Sequence, residues 1–571
     1  MSQLLCQPLQ QPSASGTRSA PPTPAQPDRS AHSHALIGAA LIALWLSVLI
    51  LGFAARLQSG LEDDELQHLH MAWRIGQGDV PFRDFFEHHP PLLQMALAPL
   101  VRHDTLFSQI PFLQLRVAQA LLLAALVAAA YFVLRRLMPP LAAIWGAGLV
   151  LIGNNYVYCY YELRPDWPAL TCIVGIVLLL SRQTSDPPED SSSGSWRFLL
   201  AGFLAGLAAC LTQKAWFLII AMLLWQALCI WQAPSPLRIS RLKRSLLFCF
   251  VSALPALALI AFFAAHGAAA DLINKTLWIN LHWIREAYAT GFIRAAAPGS
   301  AGLLCLGAIA LPAALADWRN ELKHATTRGL LVAIGIMGTF IYLTTPVPME
   351  QSYLFFLGYW YCLLAADALW SMLASRSHWR LKLSCLLAGV LLLSVVQKGP
   401  ALSLTVSLAW SLAFLVIAAA CWWPTPAIPA PRRSAIAMIA LTLICLVSTI
   451  TSDVKSLLFN DHWLIQRQLY NSLDAHLARG EPVLAMWPPS LPFRPHASFY
   501  PFAYVDFIKQ FAPKIEPQYL RQIDHVSVII GYRPKYEAAF MPAFDRAVRA
   551  HFRPVPDGDL NACVYVRVDQ P

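Results

Sequence analysis

Between Asp63 and His89 the chain reads DDELQHLHMAWRIGQGDVPFRDFFEHH. This stretch holds Asp63, Asp64, Glu65, His68, His70, Asp79, Asp84, Glu87, His88 and His89, in a protein with only 13% charged residues. Carboxylates and imidazoles at this density suit general acid–base work or metal ligation. Glu62 to Gln77 has helical spacing, with Leu66, Leu69 and Trp73 on one apolar stripe. Asp64 and His68 stand at i and i+4 on another side. Gly76 and Gly78 end the helix, and His89-Pro90-Pro91 breaks the chain before the apolar stretch Leu92–Leu100. The spacing therefore predicts two helices lying on the outer membrane surface, framing a hairpin that brings Asp64 near Glu87–His89. Asp63 and Asp64 would equally serve as caps that favour the helix dipole.

Further charged groups fall at the ends of apolar runs. The sequence from Tyr156 to Pro168, YVYCYYELRPDWP, puts Glu162, Arg164 and Asp166 together. Arg164 has the planar fork that binds phosphate, with the two acids to hold it, although a simple ion pair anchoring a helix end needs the same residues. Lys214 in LTQKAW suits either a phosphate contact or a lysine snorkelling to the interface. A second loop adds Lys275, His282, Arg285, Glu286 and Arg294, interleaved with aromatic residues of the kind found at membrane interfaces.

The elements that must position these groups follow from composition. Of 571 residues, 57% are hydrophobic, which excludes ordinary soluble domains and disorder. Thirteen apolar runs lie near 35–55, 112–134, 140–156, 169–181, 197–211, 215–232, 246–265, 300–316, 329–345, 353–370, 383–396, 401–420 and 435–452. Lipid cannot satisfy backbone polar groups, so continuous apolar runs of this kind are membrane helices. Alternate loops carry the Lys and Arg residues, among them Arg135, Arg136, Arg238, Arg241, Lys243 and Arg244. The positive-inside rule then puts the N-terminus in the cytoplasm and the acid-rich first loop outside. The net charge of +10 is explained by this topology and supports no nucleic-acid partner. Twelve cysteines form no CxxC pair, so no zinc or disulfide framework is legible.

Three regions result. Residues 1–34 read as a disordered cytoplasmic tail. Residues 35–452 form an all-α polytopic membrane domain, with a first outer loop at 56–111 and a flexible inner loop at 183–195. Residues 453–571 mix predicted helices at Asp461–Arg479, Gln518–Ile523 and Glu537–Phe552 with predicted strands at Pro482–Trp487, Val526–Tyr532 and Ala562–Val568. That alternation suggests a small extracytoplasmic α/β domain.

The loop Asp63–Leu92 resembles the first outer loop of the membrane-embedded GT-C glycosyltransferases. It is most like the bacterial family-39-like proteins, akin to protein O-mannosyltransferases and the aminoarabinose transferase of lipid A. The family's Asp-Glu pair maps to Asp64-Glu65, its RDFFEHHPPL stretch to Arg83–Leu92, and ELRPD to Glu162–Asp166. The resemblance is specific over 36–168, rests on layout to about 452, and is weak beyond. It implies inverting transfer of a sugar from a polyprenyl-phosphate donor to a lipid, glycan or protein acceptor on the outer face. A bacterial inner membrane follows from the same likeness. Asp64, beside Glu65, is then the expected catalytic base. Arg164 and Lys214, with Arg83 behind them, are the expected contacts to the donor phosphate. His68, Glu87, His88, His89 and Asp166 would position the acceptor or hold a divalent metal, Mg or Mn. The family contains metal-using and metal-free members, and the spacing here does not choose between them.

Other functions make different demands. A transporter or flippase for a lipid-linked sugar needs polar groups along the crossings, and these runs carry few. A non-catalytic binding protein would tolerate replacement of Asp64. A lipid-phosphate hydrolase would use the same cations with water as acceptor.

Overall fold

The computed structural model describes residues 29–58, 60–102, 109–152, 161–181, 195–279, 321–322, 325–337, 351–374, 481–486, 496–498, 505–532, 534–555 and 564–568, with isolated positions between 442 and 477. The membrane part opens with α1 (Arg29–Gln58), followed by two helices of the first outer loop, α2 (Asp63–Gly76) and α3 (Leu92–Val101). Then come α4 (Gln109–Leu134), α5 (Pro140–Ile152), α6 (Asp166–Leu180), α7 (Ser195–Leu211), α8 (Lys214–Trp231) and α9 (Ser235–Ala265). A short α10 (Ala269–Ile273) runs into a π-turn at Asn274–Trp278. Further on, α11 (Thr327–Val332) continues into a π-turn, and α12 is Gln351–Ala374.

Nine of the thirteen apolar runs coincide with these helices. The runs at 300–316, 383–396, 401–420 and nearly all of 435–452 lie outside the described residues. So do most of the N-terminal tail, the inner loop at 183–195, the second outer loop beyond Ile279, and the helix expected at Asp461–Arg479. By length and composition, four of the described helices can cross a bilayer: His34–Gln58, Leu113–Leu134, Lys214–Trp231 and Ser235–Ala265. The 31 residues of α9 span more than the ~30 Å of hydrocarbon at ~1.5 Å per residue. Its first turns, with Arg238, Arg241, Lys243 and Arg244, therefore reach into the headgroup region.

Small residues set the closest helix approach. Gly202 and Gly206, four apart on α7, face α9. A Cβ at Gly202 would lie 2.6 Å from the Phe248 carbonyl oxygen, and one at Gly206 would press closer still on that of Ser252. This is the small-xxx-small contact that lets membrane helices pack backbone to backbone.

The C-terminal part contains β1 (Leu484–Ala485), α13 (Val505–Gln522), β2 (Val528–Ile530), α14 (Pro534–Phe540), α15 (Pro542–His551), β3 (Phe552–Pro554) and β4 (Val564–Arg567). The sheet order is β1-β2-β4-β3, with β1 parallel to β2 and the other two pairings antiparallel. The three strands expected from sequence are present. The fourth, β3, is new: Phe552 reads as the end of the preceding helix, but it pairs with Arg567. Glu516 on α13 accepts from the Ala543 and Phe544 N–H groups at 2.7 and 3.0 Å, so it caps the start of α15.

The placement of α2 differs from expectation. Leu66, Leu69 and Trp73 do pack into the apolar core of the bundle. The opposite side is not left to water, because Met71 is fully buried against the C-terminal domain. A second layer covers the helix, so it is buried on both faces from Glu65 to Trp73.

Candidate active site

Glu65 is the most constrained acid of the first loop. Its Oε1 accepts from Arg116 Nη1 at 2.5 Å and from the Leu163 N–H at 2.7 Å. Its Oε2 accepts from Arg116 Nη2 at 2.8 Å and from the Glu62 N–H at 3.0 Å. Arg116 also donates to the carbonyls of Gly60 and Tyr161. Both side chains are 1% exposed. This buried fork ties α2, α4 and the start of the ELRPD segment into one unit.

That unit carries a surface of alternating charge. Arg164 Nη1 lies 2.6 Å from Asp64 Oδ2, and its Nε donates to Glu162 Oε2 at 2.6 Å. The other oxygen of Glu162 pairs with Arg56 at the end of α1. Lys214 Nζ donates to Asp166 Oδ2 at 2.8 Å, and Thr212 donates to Asp166 Oδ1 at 3.1 Å. Gln213 donates to the carbonyls of His88 and Thr276, both at 2.9 Å. The α7–α8 turn is thereby fixed against the EHH stretch.

Glu87 Oε1 gathers the N–H groups of His88 and His89 and the Nδ1 of His89, at 2.8, 2.9 and 2.9 Å. Glu87 Oε2 is buried and has no hydrogen-bond partner among the described residues. Burial opposes the charge on His89, but the hydrogen bond and charge of Glu87, with help from Asp64, hold its pKa above the ordinary value. Burial likewise opposes the charge on Glu87, and the three histidines nearby outweigh it. Both shifts run in the direction of an ion pair between the two side chains. Burial, followed by repulsion from His89, pushes His68 down to about 4 and His88 to about 3, so both are neutral near pH 7. The His68 and His89 rings meet edge to face at 5.3 Å, and Gln94 of α3 fixes His68 Nδ1 at 2.9 Å.

Asp64, Arg164, Glu162, Asp166, Lys214, His68, Glu87, His88 and His89 thus come together at one end of the bundle. Arg83 is elsewhere: it is half-exposed, forks onto Asp84 at 2.8 Å and reaches the His266 carbonyl. Just before it, Phe82 holds a left-handed backbone at φ 70°, costly for a bulky residue. Lys275 donates to its carbonyl, and its ring packs on Phe263. Arg116, Arg56, Gln94 and Gln213 were not singled out from sequence. The available signal for Arg116 was an arginine inside the first turns of an otherwise apolar run.

Comparison with known proteins gives a family match over part of the chain and a shared fold. Residues 88–264 match the family described as dolichyl-phosphate-mannose-protein mannosyltransferase. The fold is similar to that of ArnT from Cupriavidus metallidurans in its apo state, with TM-score 0.54 and 14% identity, covering 90% of this chain and 95% of that one. The same protein bound to undecaprenyl phosphate gives TM-score 0.51 and 13% identity, covering 88% and 97%. No curated protein sequence gives a significant match. The chain is therefore a multi-pass membrane protein that shares the fold of this solved structure and, over residues 88–264, is similar to the mannosyltransferase family.

Proposed function

We propose that the protein transfers a sugar from a polyprenyl-phosphate donor to an acceptor on the outer face of a bacterial inner membrane, with inversion at the anomeric carbon. The observation that carries this reading is the Asp64–Arg164 contact of 2.6 Å, with side chains 28% and 17% exposed. It joins a base to a phosphate-binding fork in a partly open site. The undecaprenyl phosphate held by the ArnT structure supports a donor of this class.

In this reading the donor phosphate draws Arg164 away from Asp64 and meets Lys214 beside it. Asp64 is then released to accept the proton of the acceptor hydroxyl as that oxygen attacks the anomeric carbon. The bond to phosphate breaks on the opposite face, which inverts the centre. Arg164 and Lys214 take up the charge that grows on the leaving phosphate, in surroundings dry enough to strengthen the contact. Glu65, saturated by Arg116, acts by positioning Asp64. Arg83, held on Asp84, lies outside this pair of cations.

The residues also fit a divalent metal. Glu87, His88 and His89 offer ligand atoms within 4.8 Å of one another, and Glu87 Oε2 is a buried oxygen with no partner among the described residues. One carboxylate with two imidazoles suits Mn or Zn better than Mg. A metal bound there would supply positive charge for the phosphate. The N-terminus in this reading is cytoplasmic and the C-terminal domain is outside.

The test is transfer from a panel of polyprenyl-phosphate sugars in membranes containing wild type or Asp64→Asn. The expected result is transfer by wild type and its loss in the variant at equal protein level. Unchanged transfer in Asp64→Asn removes Asp64 as the base.

A further inference from the structure

The first outer loop and the C-terminal domain share one apolar core. Phe85 and Phe86 are 0% and 2% exposed, and with Met71 of α2 they pack in a single cluster with Leu484 of β1, Ile529 of β2 and Ile515 and Tyr519 of α13. Val483, just before β1, and Val528 and Ile530 of β2 belong to the apolar core that continues into the membrane bundle. Strands β1 and β2 are thus buried on both faces, unlike the strands of a free-standing module with one wet side.

Phe85 and Phe86 immediately precede Glu87-His88-His89. The Phe86 ring stacks against His88 at 6.2 Å with 17° between the planes. Phe85 lies under the Arg74 guanidinium at 4.7 Å, and Arg74 also donates to the Asp84 carbonyl at 3.4 Å. The Phe85 carbonyl closes a turn on the Phe82 N–H at 2.9 Å. Each ring is therefore gripped by the C-terminal core on one side and joined to the site loop on the other.

We propose that the C-terminal domain is a positioning element of the transfer site, with Phe85 and Phe86 as the positioning residues that set Glu87, His88 and His89. The domain is then neither an independent acceptor-binding module nor a tether. The effect on transfer rests on the proposed function; the mechanical link does not.

The experiment is hydrogen–deuterium exchange and transfer kinetics on the full chain in nanodiscs. Ile529→Ala cuts the domain core far from any reacting group, and Ile529→Val makes a smaller cut. Lys514→Gln, exposed on α13, is the control. Ile529→Ala should speed exchange in peptides covering 79–91 at least tenfold, with α7–α9 unchanged. The valine variant should fall between alanine and wild type. Transfer by Ile529→Ala should lose kcat at least tenfold with donor KM held within twofold, and the valine variant should recover most of it. Faster exchange confined to 481–568 overturns the proposal, as does unchanged kcat once the 79–91 peptides have loosened. Should Ile529→Ala not fold, Ile529→Val and Phe86→Leu decide on the same readouts. If wild type transfers no sugar from any donor, the proposed function fails, and the exchange data alone decide the mechanical link.

Discussion

Glu65 accepts four hydrogen bonds and is 1% exposed, whereas the Asp64 side chain is 28% exposed and faces Arg164. Sequence adjacency offered them as a pair, but a helix turns neighbours through about 100°, and here that turn buries one carboxylate and leaves the other partly open. Asp64→Asn should leave the melting temperature near wild type and cut transfer by the ~10²–10⁴-fold that a general base contributes. Glu65→Gln should cost about 3–5 kcal/mol of stability, because it strands the Arg116 charge in a buried place. A melting curve beside a transfer assay on each variant separates the two roles. Comparable instability in Asp64→Asn would undo the division. At the EHH stretch, metal analysis of protein purified without chelator should find close to one Mn or Zn per chain, and Glu87→Gln should lose it. Equal metal content in the two would take the ligand role from Glu87. Asp64, Arg164, Lys214 and the histidines were legible because charge is rare in this chain. Arg116 and Gln213 were not, because what matters about each is a partner some 51 to 125 residues away.

The helices were legible, because each apolar run has to be one. Their packing was less so. The Gly202-Phe-Leu-Ala-Gly206 spacing is visible in the chain, but only the structure shows that it meets the Phe248 and Ser252 carbonyls of α9. Gly206→Leu should force α7 and α9 apart, costing at least the ~1–3 kcal/mol of an overpacked core. The expected result is a lower melting temperature in nanodiscs, with Gly38→Ala, whose Cβ would meet the far ends of Leu141 at 3.3 Å and Ile144 at 3.8 Å, much less affected. Equal melting of the two variants would mean that α7 and α9 are not locked at this contact. The burial of α2 on both faces could not be read, because periodicity reports how many apolar residues share a stripe and not what arrives over the polar side. Met71, off the Leu66–Leu69–Trp73 stripe, is buried only because the C-terminal core covers it. Strand β3 was missed for a related reason. Phe552-Arg553-Pro554 has no alternation of its own and is a strand only because β4 pairs with it.

At the scale of the whole molecule, the seam between α2 and the C-terminal domain makes stability depend on pH. His496 follows β1 through a hydrogen bond from the Ala497 N–H to the Val483 carbonyl at 2.9 Å, and its ring lies 4.1 Å from that of His70. Burial first, then the charges of His70 and Arg74 on α2, hold the pKa of His496 well below its ordinary value of 6.5. Both ring nitrogens of His496 are buried without a hydrogen-bond partner among the described residues, so the neutral ring is the form that fits. A histidine lowered in the folded state takes up its proton more readily when unfolded. Its contribution is therefore full above pH 6.5 and is lost as the pH falls below that value. The melting temperature should hold steady from pH 8 to 7 and decline from about 6.5 to 5. His496→Leu, which keeps an apolar side chain in the seam and removes one proton acceptor, should make that decline shallower, the remainder belonging to His68 and His88, while leaving the pH 8 value little changed. Thermal melts of the two proteins across this range decide the matter, and equal slopes would place the acid-sensitive group elsewhere. If the loop that carries Glu87–His89 is held by the same core, exchange in the 79–91 peptides should quicken over the same pH interval in wild type and less in His496→Leu. Acidity would then reach the site through the packing of the C-terminal domain as well as through its own titratable groups.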